Sequence, residues 1–363
     1  MPADIQRARA LLEVGRWEQA QNELAGYLAT APQSVEGLCL LARCQQLGGR
    51  YRPMLDAAEQ AIGAAPDNEW PHRLRSIALG KLGRVNESVA AGRRAVDLAP
   101  GTWQTHVILV DALLAHGSVE ALRTAYRGAR HARELSPEEP EVHNACGRVY
   151  QAINDPAAAR RSYGEALRLD PGNSTARNNL AVVELRQGRA TLAGERLRDV
   201  LADRPNEALY QRNAQATATV WATRLMEFAT LSWIAAVIVA LAVPSDRLQL
   251  GACLAILAGY LAIAAQRYRR LSPALRGMVR TNRRPLGLAV IPLATIPAIG
   301  LWLHPGRLEA GFLLVPMMVM ALIVAILSLA LLRNRAIRAA TRLARRWRYR
   351  WTVVRPVERG EDR

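Results

Sequence analysis

The chain of 363 residues has a single lysine, Lys81, among 48 basic residues. Arginine supplies the rest, and with so much alanine this bias points to a GC-rich bacterial source. Its four cysteines, Cys39, Cys44, Cys146 and Cys253, form no CxxC pair. They read as small buried thiols in a reducing compartment, not as a disulfide framework. The first residues, Met1 to Arg7, contain no apolar run, so no cleavable signal peptide is expected. GxSxG, HExxH and GxGxxG are all missing, and Gly80-Lys81 lacks the earlier glycine and the following hydroxyl of a phosphate loop. The six histidines are scattered. His143 and Cys146 lie one helical turn apart, but no second pair lies near enough in sequence to complete a zinc site. These absences exclude the common enzyme classes, and neither a catalytic residue, a metal nor a cofactor is expected.

Charge is unevenly placed. Met1 to Asn213 carries 27 basic and 25 acidic residues, whereas Ala214 to Arg363 carries 21 and 6. Nearly all of the net +17 therefore lies beside apolar runs in the last 150 residues. That placement is a membrane-topology signal and argues against a nucleic-acid partner.

What is present is a repeat. Gly15-Arg16, Gly49-Arg50 and Gly83-Arg84 recur every 34 residues, as do Pro32, Pro66 and Pro100. Pro137 comes three residues late, then Pro171 and Pro205 restore the period, and Gly188-Arg189 follows Asn154-Asp155 by 34. Each unit reads as a helix ending at a glycine that adopts a left-handed conformation, then a second helix ending at proline. Neither helix can bury its apolar face alone, so six units must stack into a solenoid, with a short insertion in the fourth. In the fifth unit Gly147, Tyr150, Ala159, Tyr163, Ala166 and Pro171 resemble the tetratricopeptide repeat (TPR) signature. Met54 and Ser88 stand where that pattern has alanine. The resemblance implies an all-α, TPR-like α-solenoid over residues 1–213, with 214–224 as a capping helix. It also implies a concave face that binds extended peptides or partner helices. Carried onto this chain, that face is expected to include Arg43, Arg73, Asn144, Arg148 and Asn178.

Beyond Arg224 the pattern becomes uniformly apolar. The runs 225–243, 248–265, 286–303 and 310–332 are each long enough to cross about 30 Å of hydrocarbon. They are read as a four-helix transmembrane bundle over 225–332. Seven arginines and no acid lie between Arg267 and Pro285, and eleven arginines lie in the tail 333–363. Alternation of charge then places both termini in the cytoplasm of a multi-pass inner-membrane protein. Gly251, Ala255 and Gly259 form a small-residue ridge suited to helix packing. The spans contain no mid-depth ionisable residue, which argues against an ion-coupled carrier. The tail is drawn as a basic amphipathic helix. Ala336, Ala340, Leu343, Trp347 and Trp351 share one stripe with Arg338, Arg342, Arg345 and Arg346 mostly elsewhere, a pattern suited to anionic lipid.

The sequence thus points to a membrane-anchored scaffold that binds a cytoplasmic protein or peptide in the solenoid groove, with lipid at the basic loop and tail. A biogenesis factor whose bundle engages another membrane protein is the alternative. A regulated transport component is a third reading.

Overall fold

A computed structural model describes residues 3–203, 208–242 and 245–271, positions 276, 277 and 279, and 337–359 except 338, 339 and 342. The expected spans 286–303 and 310–332, and Arg338 and Arg342, lie outside the described residues. Those described contain helices and no strands. The chain divides into two compact units, Met1–Asn173 with Arg345–Arg363, and Ser174–Ala344.

The first unit is a stack of five helical hairpins. They are α1 (Ala3–Glu13) with α2 (Trp17–Thr30), α3 (Val35–Leu47) with α4 (Tyr51–Ala64), and α5 (Glu69–Lys81) with α6 (Val85–Leu98). Then follow α7 (Trp103–His116) with α8 (Val119–Leu135) and α9 (Pro140–Ala152) with α10 (Pro156–Leu169). The turns within hairpins are set by Gly15, Gly49, Gly83 and Gly117, at φ 69–78°, and by Asn154 at φ 59°. Asparagine replaces glycine at the last of these because its short polar side chain tolerates the left-handed region. The step from Gly117 to Asn154 is 37 residues, and the three extra residues lengthen α8 to 17 against 14 in the other second helices. Side chains of Ser34, Asn68, Ser118 and Asp155 accept from backbone N–H groups at helix starts.

Packing explains the departures from the signature. Met54 is fully buried. Ser88 and Ser76 close a reciprocal pair: the Ser76 hydroxyl donates to the Ser88 carbonyl at 2.8 Å and the Ser88 hydroxyl to that of Ser76 at 2.7 Å. Gly147 meets Tyr163 so closely that an added Cβ would lie 2.4 Å from the ring, and the Tyr163 hydroxyl donates to Gln151 at 2.6 Å. The histidines have a structural role. Nε2 of His72, His106 and His143 lies 2.9, 2.7 and 2.7 Å from the carbonyl oxygens of Pro66, Pro100 and Pro137. The acceptor fixes the Nε2–H tautomer and ties three turns between hairpins to the helices that follow them.

The C-terminal residues belong to this unit, which corrects the expectation of a separate tail. Residues 343–349 are helical, Arg350–Val354 form a π-helical turn, and α15 (Arg355–Arg359) follows. Val353 is fully buried in the cluster built by α7, α8 and α9, with Tyr349, Val354 and Val357 against it. Arg123 of α8 donates to the Thr352 carbonyl at 2.8 Å, and Arg346 pairs with Asp155 at 3.3 Å. The π-turn shifts the helical phase. A valine edge therefore docks on the array, while Leu343, Trp347 and Trp351 of the expected stripe stay exposed.

The second unit contains α11 (Ser174–Arg186), α12 (Ala190–Asp203), α13 (Ala208–Ala242) and α14 (Asp246–Arg269). The expected cap 214–224 and the first span are not separate elements. They form one continuous 35-residue helix, about 52 Å long. Its first half packs on α12 through Tyr210, Ala214, Ala218, Trp221 and Leu225. Its second half runs antiparallel to α14, with Ala229 against Tyr260 and the Cys253 thiol 3.8 Å from the Ala236 carbonyl. Ala208–Val239 and Arg247–Arg269 are long and apolar enough to cross a membrane. Gly251, Ala255 and Gly259 are exposed on the side of α14 away from α13, with nothing described within 4 Å of a Cβ added at either glycine. The ridge therefore does not serve the α13–α14 contact.

Candidate functional site

The first helices of hairpins two to five wall a cavity of about 260 Å³. Trp70 and Trp103 open α5 and α7 and stand half-buried at one end of their helices. Leu74, Ile77, Val107 and Ile108 continue an apolar floor along the next turns. Arg43 and Gln46 from α3, Arg73 from α5, Gln104 from α7 and Glu141 from α9 form the polar rim. Repeated helix pairs place these residues together: each hairpin adds one first helix to the same wall, so side chains 30 to 35 residues apart become neighbours.

The rim is electrostatically mixed. Arg73 pairs with Glu69 at 2.7 Å one turn earlier in its helix, and Arg148 pairs with Asp111 at 2.8 Å. Glu141 is open to solvent on one side yet enclosed by the walls. Desolvation holds its carboxyl above the usual range, Arg148 and Arg43 pull it down, and Asp111 pushes it up. Arg43, Asp111, Glu141 and Arg148 therefore share one field. The buried thiols are inert: burial pushes Cys39 up to about 12 and Cys44 and Cys146 to about 11. Among the described residues no group of His, Cys, Asp and Glu could hold a metal ion.

Of the residues expected in the groove, Arg43 and Arg73 line it, and Arg148 acts on it through Glu141 and Asp111. Asn144 and Asn178 do not. Each is 3% exposed, Asn144 donating to Asn173 at 3.2 Å and Asn178 accepting from Asn213 at 2.7 Å. Asn144 ties α9 to the turn before α11, and Asn178 ties α11 to α13. Trp70 and Trp103 were missed from sequence. The available signal was a tryptophan opening the first helix in two consecutive units, 33 residues apart.

The array is a TPR-like α-solenoid. Residues 145–208 match the tetratricopeptide repeat family model. A curated relative, the BBSome complex member BBS4 of Bos taurus, is 24% identical over 179 residues, 49% of this chain. The chain spans about a third of that relative's length, 34%. Among solved structures, the Cut9–Hcn1 hetero-tetramer of the APC/C aligns at a TM-score of 0.50 and 16% identity, over 58% of this chain and 41% of that one. A thermophilic TPR protein of Thermus thermophilus aligns at 0.48 and 23% identity, over 50% and 98%.

Proposed function

We propose that this protein is a membrane-anchored adaptor whose groove holds an extended segment of a cytoplasmic protein, with a bulky apolar side chain beside a carboxylate. One observation carries the reading: Trp70 and Trp103 line the same cavity as Arg43 and Arg73. The tryptophans offer large apolar area, and a guanidinium can grip a carboxylate through two parallel hydrogen bonds. Binding, without catalysis, is the work this site is built for.

Anchoring rests on α13 and α14, which leave Leu231, Ile238, Leu248, Leu254 and Leu261 between 46% and 68% exposed. Water disfavours such a surface and lipid does not. Topology gains support from the C-terminal docking. Residues 345–359 and the first hairpins belong to one unit, so they share one face of any membrane, and the chain between them crosses an even number of times. Two or four crossings satisfy this, and four agrees with the arginine distribution, with both ends cytoplasmic. Exposed Trp347 and Trp351, with Arg345 beside them, are our candidate for contact with anionic lipid.

A second reading has one observation in its favour. The ridge Gly251, Ala255 and Gly259 faces away from α13, as a surface for another transmembrane helix would. In that case the protein is an assembly factor that holds a membrane partner through α14.

The test is crosslinking in native membranes, comparing the intact chain with an Arg43→Glu/Arg73→Glu/Trp103→Ala variant. A partner held by the intact chain and lost from the variant is expected. If every partner is retained by the variant and lost from Gly251→Leu/Gly259→Leu, the groove reading fails and the assembly-factor reading stands.

A further inference from the structure

A second cavity, of about 390 Å³, lies wholly within the second unit. Three elements supply its arginines: Arg189 from the turn before α12, Arg224 from the middle of α13, and Arg267 and Arg270 from the end of α14. Glu195 is the carboxylate among the described lining residues, and Trp221 and Leu225 form an apolar side. The volume falls in the range of small-molecule sites.

The placement of the guanidinium groups is fixed by packing. Arg189 pairs with Glu184, itself 3% exposed, at 3.3 Å. Arg267 stacks over the Phe228 ring at 4.4 Å. Gly188 has φ 76°, and a Cβ added there would lie 2.1 Å from Arg224 Nη2, so the turn glycine also makes room for that guanidinium. Trp221 and Tyr268 bring α13 and the end of α14 together, with ring centroids 6.0 Å apart. Four guanidinium groups lining one cavity can offer a phosphate several charge-assisted donors at once.

Position narrows the anion. The Tyr260 hydroxyl lies 3.4 Å from the Leu225 carbonyl, which fixes the register of the hairpin. Arg224, Arg267 and Arg270 therefore sit at one end of it, and exposed Phe228, Leu231, Leu261 and Ile263 begin within about a turn. If α13 and α14 enter a bilayer, this end lies at headgroup level, where lipid phosphates are.

We propose that this cavity binds a phosphate-bearing anion, the headgroup of an anionic phospholipid, through guanidinium–phosphate hydrogen bonds. The inference rests on the membrane reading of α13 and α14 for the lipid source, while the arginine geometry carries the phosphate chemistry. It goes beyond general attraction of basic loops to lipid because it names one pocket built by three helices.

The full chain is placed in phosphatidylcholine nanodiscs with or without phosphatidic acid, and retained lipid is counted by native mass spectrometry. Inorganic phosphate is titrated separately against the detergent-solubilised chain. The pocket variant is Arg224→Gln/Arg267→Gln/Arg270→Gln. The control, Arg16→Gln/Arg93→Gln/Arg161→Gln, removes the same charge from exposed positions of the array. Phosphatidic acid retention should fall at least about tenfold in the pocket variant and stay within about twofold in the control. Equal loss in both, or loss in neither, overturns the proposal. Arg270→Gln alone, at an exposed position, gives the same reading if the triple variant misfolds, with a loss of about threefold or more expected. Alkaline carbonate extraction separates the two premises. A chain released by carbonate that still binds inorganic phosphate through these arginines refutes the membrane reading and assigns the site to a free phosphate compound.

Discussion

The hairpins of the first unit and the α13–α14 hairpin are both pairs of antiparallel helices rich in alanine and leucine, yet they direct their apolar side chains differently. In the array, the exposed large apolar residues are Val14, Leu47, Leu82 and Leu135, all at helix ends, while mid-helix leucines such as Leu55, Leu79 and Leu113 are buried. In α13 and α14, exposure falls in mid-helix, at Leu231, Ile238, Leu254 and Leu261, and the helix interface is left to Ala229, Ala236, Cys253 and Tyr260. Array helices therefore bury their large side chains together with alanines such as Ala58, Ala78 and Ala125. The α13–α14 pair uses small ones to hold and offers the large ones outward. The proposed membrane anchoring of α13 and α14 rests on that inversion.

The strongest way to break the comparison is to put charge on both surfaces. Leu231→Arg with Leu254→Arg should abolish carbonate-resistant membrane association, since an arginine near the centre of a span costs about 3 kcal/mol. Leu47→Arg with Leu82→Arg, at similar exposure on the array, should change stability by less than about 0.5 kcal/mol per site. Equal effects from the two pairs would mean that α13 and α14 are not membrane helices.

Next in size is the packing of small residues in the array. Gly147→Ala drives a methyl into Tyr163 and should destabilise by about 1–3 kcal/mol, read as a lower midpoint in denaturant melts. Gly83→Ala has open space around the new methyl but φ 78°, so its cost comes from the backbone alone, about 1–2 kcal/mol. Gly26→Ala, with neither constraint, should stabilise by about 0.5–1 kcal/mol. The same chemical change thus runs from loss to gain within one unit, and equal effects at all three sites would overturn this account.

Much of this was legible in the sequence because repeats make structure local. Proline and glycine spacing gave the hairpins, and the late Pro137 marked an insertion in the fourth unit, which the structure places in α8. Gly117 escaped notice as a turn because serine, not arginine, follows it. The groove was legible only in part. Spacing places Asn144 and Arg148 on one helix face, but only the twist of the stack decides that Asn144 is sealed while Glu141 rims the cavity. Docking of Val353 on α8 was not legible, since it joins residues some 230 apart through a π-turn that no local pattern marks. The arginine cavity was hidden for the same reason: Arg189, Arg224 and Arg270 become one site only when α12, α13 and α14 meet.

The smallest predicted effect concerns pH and also divides the two regions, because the histidines that tie turns are all in the array. The titration of His106 is displaced. Burial holds it below the ordinary value, with the Pro100 carbonyl acting upward and His131 downward. The folded state therefore binds a proton less readily than the unfolded chain does. Stability from this site is complete above the unfolded value of about 6.5 and is lost as pH falls from there through the folded value. Array melting should move to lower temperature on going from pH 7.5 to 5.5, and His106→Gln should flatten that dependence while lowering stability at pH 7.5. Glu141 works in the opposite sense. Its raised carboxyl weakens the fold as pH rises through its folded value, so Glu141→Gln should stabilise slightly at neutral pH and steepen the remaining acid loss. A melting profile unchanged by His106→Gln between these pH values would show that the ring is not the titrating group and that its bond to Pro100 serves packing alone.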